Sequence, residues 1–147
     1  MSSYDVYYRD IYPEKPRYLI PNTETIENIR IMVNRCMHFW ESNGPILLDG
    51  FTFEGAYTKI ISSGDGDFLT KDCLWDLKVS KNQINKSNNR LQLLVYYIMG
   101  CRSIHEEFRN IEHLGLYNPR LNCMYKMNIA DIDKSIISDV SKYVIGY

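Results

Sequence analysis

Apolar residues recur with helical spacing near the start of the chain. Between residues 22 and 41 their period is about 3.6, which is typical of a helix with one buried face. The members of this stripe are Ile26, Ile29, Val33, Cys36, Met37 and Trp40. Asn22 and Thr23 are good N-cap residues, and Asn43-Gly44-Pro45 is a strong stop signal. The pattern therefore predicts a helix from about residue 22 to residue 41.

The rest of the pattern predicts two further helices and six strands. The helices cover residues 87–99 and 132–144, with a short helical piece at 103–109. The strands cover residues 46–48, 51–61, 67–70, 74–79, 111–117 and 123–129. This order of helix, strands, helix, strands and helix predicts an α/β (α+β) domain with a mixed sheet flanked by helices.

The first 21 residues differ from the rest of the chain. They lack helical period and contain Pro13, Pro16 and Pro21, which favour an extended arm across the surface. The whole chain has 147 residues, of which 45% are hydrophobic, and this is enough for one core. We therefore expect an arm over residues 1–21 and a single domain over residues 22–147.

Charge and composition exclude several classes of protein. The formal net charge is −1, so an anionic partner would have to be bound by a local basic patch. No apolar run is long enough to span a bilayer, and the N-terminus has no apolar signal-peptide core, so we expect a cytoplasmic protein with no membrane partner. The four cysteines stand singly, which favours reduced, mostly buried thiols over a metal-thiolate site.

The predicted strand at residues 74–79 carries two charges on one face. Because side chains alternate along a strand, Asp76 and Lys78 lie on the same side, where burial of unpaired charge would be costly. Asp67, at the start of a neighbouring strand, and the Leu77 carbonyl would complete a set of hard oxygen ligands for Mg²⁺ or Mn²⁺. Lys78 would then orient the attacking water and neutralise charge at a phosphate. The alternative is a simple salt bridge beside turn aspartates that are solvated.

The helix after this strand adds polar groups. Gln92 and Tyr96 are four residues apart and lie on one helix face, where they could bind a phosphate or a base. The connecting loop contains three further cations, Lys81, Lys86 and Arg90, and no acidic residue. A local basic patch of this kind suits DNA. The alternative is an ordinary solvated loop and an anchored tyrosine.

The ordered set Asp67, Asp76-Leu77-Lys78 and Gln92-x-x-x-Tyr96 resembles the PD-(D/E)XK nuclease superfamily, and within it the RecB-like and phage-exonuclease branch. The resemblance implies a restriction-endonuclease-like αβββαβ core and Mg²⁺-dependent DNA cleavage. It also implies that Asp67 and Asp76 are metal ligands, that Lys78 is the catalytic lysine, and that Gln92 and Tyr96 contact the substrate. A phage or mobile-element setting follows by family analogy alone.

Two features depart from the pattern of this superfamily. Gly66 stands where the name of the superfamily has a proline. The family often adds a glutamate or histidine from the first helix, and the sequence does not identify that residue. The candidates left open are Glu27, His38, Glu41 and Glu54.

The combined motifs predict a Mg²⁺- or Mn²⁺-dependent deoxyribonuclease that hydrolyses phosphodiester bonds. It could act as a homo-oligomer or within a larger nucleic-acid-processing complex. The alternative is a catalytically silent protein with a nuclease fold that binds DNA or a protein partner, such as an inhibitor or a defence factor.

Overall fold

A computed structural model of the protein describes residues 20–147. The chain divides into two compact units, residues 1–30 and residues 31–147. The first unit, as far as it is described, contains the beginning of the first helix, and the second contains the sheet and the candidate site. The predicted arm at residues 1–21 lies almost wholly outside the described residues and stays a prediction.

The described residues form an α+β fold. The helices are α1 (Thr23–Asn43), α2 (Ser87–Gly100) and α3 (Lys134–Asp139). The strands are β1 (Ile46–Thr52), β2 (Asp65–Thr70), β3 (Cys73–Leu77), β4 (His113–Asn118) and β5 (Cys123–Asn128). Short 3-10 helices cover Glu106–Asn110 and Ile129–Asp131, and a π-helical segment, Val140–Ile145, follows α3. The predicted mixed sheet with flanking helices is confirmed at this level.

The five strands form one sheet in the order β1-β2-β3-β4-β5. The first three are antiparallel neighbours, and β4 and β5 are also antiparallel. In contrast, β3 and β4 are parallel, so the chain must cross from one end of the sheet to the other between them. This crossover contains α2, which brings that helix next to the C-terminal end of β3.

The two faces of the sheet have different cores. Leu74 of β3 belongs to a large, mainly aliphatic cluster that includes Leu94 and Ile98 of α2. Trp75, the next residue, belongs to a smaller aromatic cluster with Phe39 of α1 and Tyr117 of β4. Alternation along β3 therefore places Asp76 on the α2 side of the sheet.

The apolar stripe predicted for α1 is wrong in part. Phe39, which is outside that stripe, is buried and stacks on Tyr117 with a centroid distance of 3.9 Å. Val33 and Met37 are 53% and 60% exposed. Two apolar stripes overlap on this helix, and the sheet selects the one that presents an aromatic ring to Trp75 and Tyr117.

The strand predicted over residues 51–61 is also wrong beyond Thr52, where β1 ends. The chain turns at Gly55, whose φ of 88° is in the left-handed region that favours glycine. The Tyr57 hydroxyl group accepts a hydrogen bond from the Phe53 amide and donates one to the Gly64 carbonyl. These contacts hold a compact loop that leads to β2, which begins two residues earlier than predicted.

The predicted single helix over residues 132–144 is instead α3 followed by the π-helical segment.

In residues 20–147 the four cysteines form no disulfide, and Cys73 is the buried one among them, so the expectation of mostly buried thiols is wrong. None of the helices at residues 20–147 combines the length and apolar character needed to cross a bilayer.

Candidate functional site

The C-terminal end of β3 positions Asp76 and Lys78 on the same side of the sheet. Asp76 lies within β3, and its side chain is only 7% exposed. Lys78 follows the last residue of the strand, but its backbone amide still donates a hydrogen bond of 2.9 Å to the Tyr117 carbonyl of β4. This bond continues the ladder by one residue and keeps the lysine beside the aspartate.

The Lys78 ammonium group connects β3 to α2. Its Nζ lies 3.0 Å from both carboxylate oxygens of Asp76 and donates a hydrogen bond to Oδ1. The same Nζ donates to Gln92 Oε1 at 3.0 Å. Gln92 Nε2 in turn donates to the Tyr96 hydroxyl group at 3.0 Å. The four side chains therefore form one continuous chain of hydrogen bonds from the strand to the helix.

Asp67 reaches the same place from β2. Phe68 pairs with Trp75 in the antiparallel register, so continuing that register by one residue puts Asp67 across from Asp76. Asp67 Oδ2 accepts a hydrogen bond of 2.8 Å from the Leu77 amide. The structure thus brings together Asp67, Asp76, Lys78 and, through α2, the polar pair Gln92 and Tyr96.

The electrostatics of this cluster favour the binding of an additional cation. Burial raises the pKa of Asp76, and the negative charge of Asp67 raises it further, while the hydrogen bond and charge of Lys78 oppose both effects. The buried Asp76 carboxylate therefore has Lys78 as its ion-pair partner and the half-buried Asp67 carboxylate nearby. A group bearing positive charge would stabilise the ionised form of Asp76.

The donor atoms fit a hard divalent ion. Asp76 Oδ2 is buried and has the Lys78 ion-pair contact but no hydrogen bond, so it remains an acceptor in need of a partner. Within the described residues, no three His, Cys, Asp or Glu side chains cluster as a complete metal cage. Mg²⁺ is commonly bound by one or two carboxylates, with water and substrate phosphate as its other ligands. Asp67, Asp76 and the Leu77 carbonyl match that requirement.

The basic loop between β3 and α2 has a fixed backbone and exposed cations. Ile84 is buried, and Asn118 Nδ2 donates a hydrogen bond of 2.8 Å to the Ser80 carbonyl. The predicted nucleic-acid contacts in and after this loop, Lys81, Lys86 and Arg90, are all exposed. The loop can thus present positive charge next to the carboxylates without itself being part of the buried cluster.

Asn118 is a positioning residue that we did not predict from the sequence. It is fully buried, and besides holding Ser80 it accepts a hydrogen bond from the Arg120 amide at 3.0 Å. The sequence signal was the Asn-Pro dipeptide, which marks a turn capped by an asparagine side chain. Its bond to a loop 38 residues away depends on the tertiary fold.

The acidic and histidine candidates lie on α1, at Glu27, His38 and Glu41, and just after β1, at Glu54. His38 Nδ1 and Glu41 Oε2 are 3.0 Å apart in an exposed pair on α1. Glu27 makes a weak pair with Arg30, and Glu54 is exposed. None of the four belongs to a metal-ligating group of three in the part of the chain that the structure describes.

Comparisons with protein-family models, with curated proteins and with solved structures give no match to this chain. The chemistry of the site is therefore inferred from its own residues.

Proposed function

We propose that the protein is a Mg²⁺- or Mn²⁺-dependent nuclease that hydrolyses phosphodiester bonds in DNA. The observation that carries this proposal is the meeting of two carboxylates, Asp67 and Asp76, with a lysine that also binds Gln92 on the crossover helix. A buried carboxylate that has a second carboxylate nearby and a single lysine partner is unfavourable for stability alone, so its presence favours a functional role.

The topology supports a restriction-endonuclease-like core. The order α1, β1, β2, β3, α2 and β4, with antiparallel pairing up to β3 and parallel pairing of β3 with β4, has the αβββαβ arrangement that the resemblance implies. The motif residues occupy β2, the end of β3 and α2, which are adjacent elements of that core.

Each residue has a distinct chemical task in the proposed reaction. Asp67, Asp76 and the Leu77 carbonyl would hold the metal ion, which when bound supplies Lewis-acid activation of water and of the phosphate. Lys78 donates hydrogen bonds from a fixed position, so it can orient the attacking water and stabilise negative charge that develops on phosphate oxygens. Gln92 fixes Lys78, and Tyr96 fixes Gln92.

The basic loop supplies affinity for the substrate. Lys81, Lys86 and Arg90 would contact backbone phosphates, because exposed cations in a segment without acidic residues attract a polyanion. These contacts position DNA and carry no sequence information by themselves.

The proposal is tested by cleavage of end-labelled single-stranded and double-stranded DNA in Mg²⁺, Mn²⁺ or EDTA. The wild-type protein should cut only with metal, and Asp76→Ala and Lys78→Ala should each reduce the rate by roughly a hundredfold or more, as expected for loss of electrostatic stabilisation of the transition state. Asp72→Ala is the matched control, since Asp72 also pairs with a lysine but at the other end of β3. Its rate should stay within about threefold of wild type. Equal rates for Asp76→Ala and Asp72→Ala would contradict the assignment of the site.

The hydrogen bonds that Lys78 makes within the protein favour one alternative, a nuclease fold without catalytic activity. Its Nζ already donates hydrogen bonds to Asp76 and Gln92, contacts that require no metal, as in a nuclease fold kept for binding DNA or a protein. This alternative predicts no cleavage, together with binding that survives EDTA and both substitutions.

A further inference from the structure

A cavity of about 400 Å³ lies between α2 and the strands β4 and β5. Its floor is apolar and includes the buried side chains of Leu93 and Leu116. The exposed residues Asn85 and Arg90 and the half-buried Tyr125 also line it. The volume falls within the range of roughly 300–1,000 Å³ that is usual for small-ligand sites.

The cavity adjoins the candidate catalytic site along both the sheet and the helix. Leu116, which lines the cavity, is the register partner of Asp76 in the parallel pair of β3 and β4. The cavity therefore begins on the strand next to the one that carries Asp76, and neighbouring strands are about 4.8 Å apart. On α2, Arg90 and Leu93 line the cavity, and Gln92, whose side chain binds Lys78, lies in the first turns of the same helix but on its other side. A chain of nucleotides that passes the N-terminal end of α2 could therefore reach both the cavity and the carboxylates.

We propose that this cavity receives one unpaired base of the DNA strand whose phosphate lies at Asp76 and Lys78. The base stacks on Tyr125, and Arg90 binds the phosphate next to it. The substrate is then single-stranded DNA or the frayed end of a duplex. This inference rests on the proposed nuclease function and adds the form of DNA that the site accepts.

The lining of the cavity favours a base over a phosphate at its floor. Leucine side chains cannot compensate a desolvated charge, whereas the flat face of a base loses little on leaving water. The Tyr125 ring offers a stacking surface, and the Asn85 amide can hydrogen-bond the edge of a base.

The charges around the cavity suit an anionic strand. No acidic side chain is among the residues that line it. The Arg90 guanidinium group has no carboxylate partner among residues 20–147, and it donates a long hydrogen bond of 3.5 Å to the Ser87 hydroxyl group. A base in a duplex is stacked and paired, so it has to leave the helix to enter such a cavity.

The experiment measures binding of fluorescein-labelled oligodeoxynucleotides by anisotropy in EDTA, where cleavage is suppressed. Wild-type protein should bind a single strand about tenfold more tightly than the blunt duplex of the same sequence, and one abasic position at a fixed place in the strand should weaken binding by about tenfold. Tyr125→Leu keeps apolar packing but removes the ring, so it should bind about tenfold more weakly and become insensitive to the abasic position. Tyr125→Phe should behave as wild type, which also shows that position 125 tolerates substitution.

Tyr143→Leu is the matched control, because Tyr143 is an exposed tyrosine outside the cavity and its loss should leave binding unchanged. The inference is overturned if Tyr125→Leu binds as wild type, if every abasic position is tolerated, or if the duplex binds as tightly as the single strand.

Cleavage by the same proteins with Mn²⁺ separates the two proposals. If cutting requires metal and is abolished by Asp76→Ala, but neither binding nor cutting changes in Tyr125→Leu, the nuclease function would be supported and the base site refuted. Abasic-sensitive binding without any cutting would refute the nuclease and leave the base site standing. No affinity for DNA at all would overturn both.

Discussion

A carboxylate–lysine ion pair lies at each end of β3, and the two ion pairs differ mainly in burial. At the start of the strand, Asp72 lies 3.3 Å from Lys126 Nζ and 3.1 Å from His113 Nδ1, and its side chain is 44% exposed. At the end of the strand, Asp76 lies 3.0 Å from Lys78 Nζ and is 7% exposed. The distances alone do not distinguish the two pairs.

Burial gives the two pairs different physical roles. An exposed ion pair contributes about 0–1 kcal/mol, because water and salt screen it. A buried pair costs desolvation energy that its own attraction does not always repay. The Asp72 pair is therefore ordinary surface structure, whereas the Asp76 pair has a cost in stability that a function at this site would explain.

The largest expected effect is the difference in unfolding free energy between two variants, each of which lacks the lysine of one pair. Lys78→Met leaves the Asp76 carboxylate buried without its cation, so we expect a loss of about 2–3 kcal/mol in the free energy of unfolding at neutral pH. Lys126→Met, the matched control, should cost about 1 kcal/mol or less. Urea unfolding of both variants measures the difference.

The loss in Lys78→Met should also depend on pH. Burial already raises the pKa of Asp76, and removing Lys78 removes the group that lowers it. A carboxyl group with a higher pKa in the folded than in the unfolded state binds more protons when folded, so stability falls as pH rises from the unfolded to the folded pKa. The variant should be closer to wild type at pH 5 than at pH 7. Equal losses at both pH values, or equal losses for the two lysine variants, would contradict the comparison.

A smaller effect is expected in the pH dependence of metal binding. Mn²⁺ competes with the proton on Asp76, so its affinity should fall as pH decreases through the raised pKa of that group, by at most about tenfold per pH unit for one proton. Titration of Mn²⁺ followed by electron paramagnetic resonance between pH 5 and pH 8 measures this. Asp76→Asn should abolish the pH-dependent binding, and Asp72→Asn should leave it intact. Binding that is lost in Asp72→Asn instead would place the metal at the wrong end of β3.

The smallest effects are expected in the basic loop, next to the buried pair. Lys81→Ala and Lys86→Ala should each weaken DNA binding about equally for all sequences and lower the salt slope by about 0.7–0.9. Lys134→Ala on α3 is a control, because Lys134 is an exposed lysine on a different element. An unchanged salt slope in both loop variants would remove the loop from the interface.

The sequence predicts those contacts of the candidate site that follow from spacing within one strand or one helix. Strand alternation puts Asp76 and Lys78 on one side, and helical spacing puts Gln92 above Tyr96; their contacts at 3.0 Å agree with both. The bond from the Leu77 amide to Asp67 follows from strand register, which local pattern does not determine.

The parts of the fold that were mispredicted depend on distant contacts. The apolar run after Phe51 has strand character, but Tyr57 closes it into a loop through Gly64. On α1, the choice between two apolar stripes depends on Tyr117, far along the chain. The same limit applies to Asn118, whose partner Ser80 is in another loop.

The anchoring of Lys78 and the basic loop by β4 has a consequence for the order of folding. The residues of the candidate site lie between positions 67 and 96, yet the Lys78 amide is held by Tyr117 and the loop by Asn118. A nascent chain that has emerged only to the end of α2 contains every residue of the site but lacks the parallel strand that holds them. Assembly of the site must therefore wait for β4, and a chain broken between α2 and β4 would lose the site while retaining all of its chemical groups.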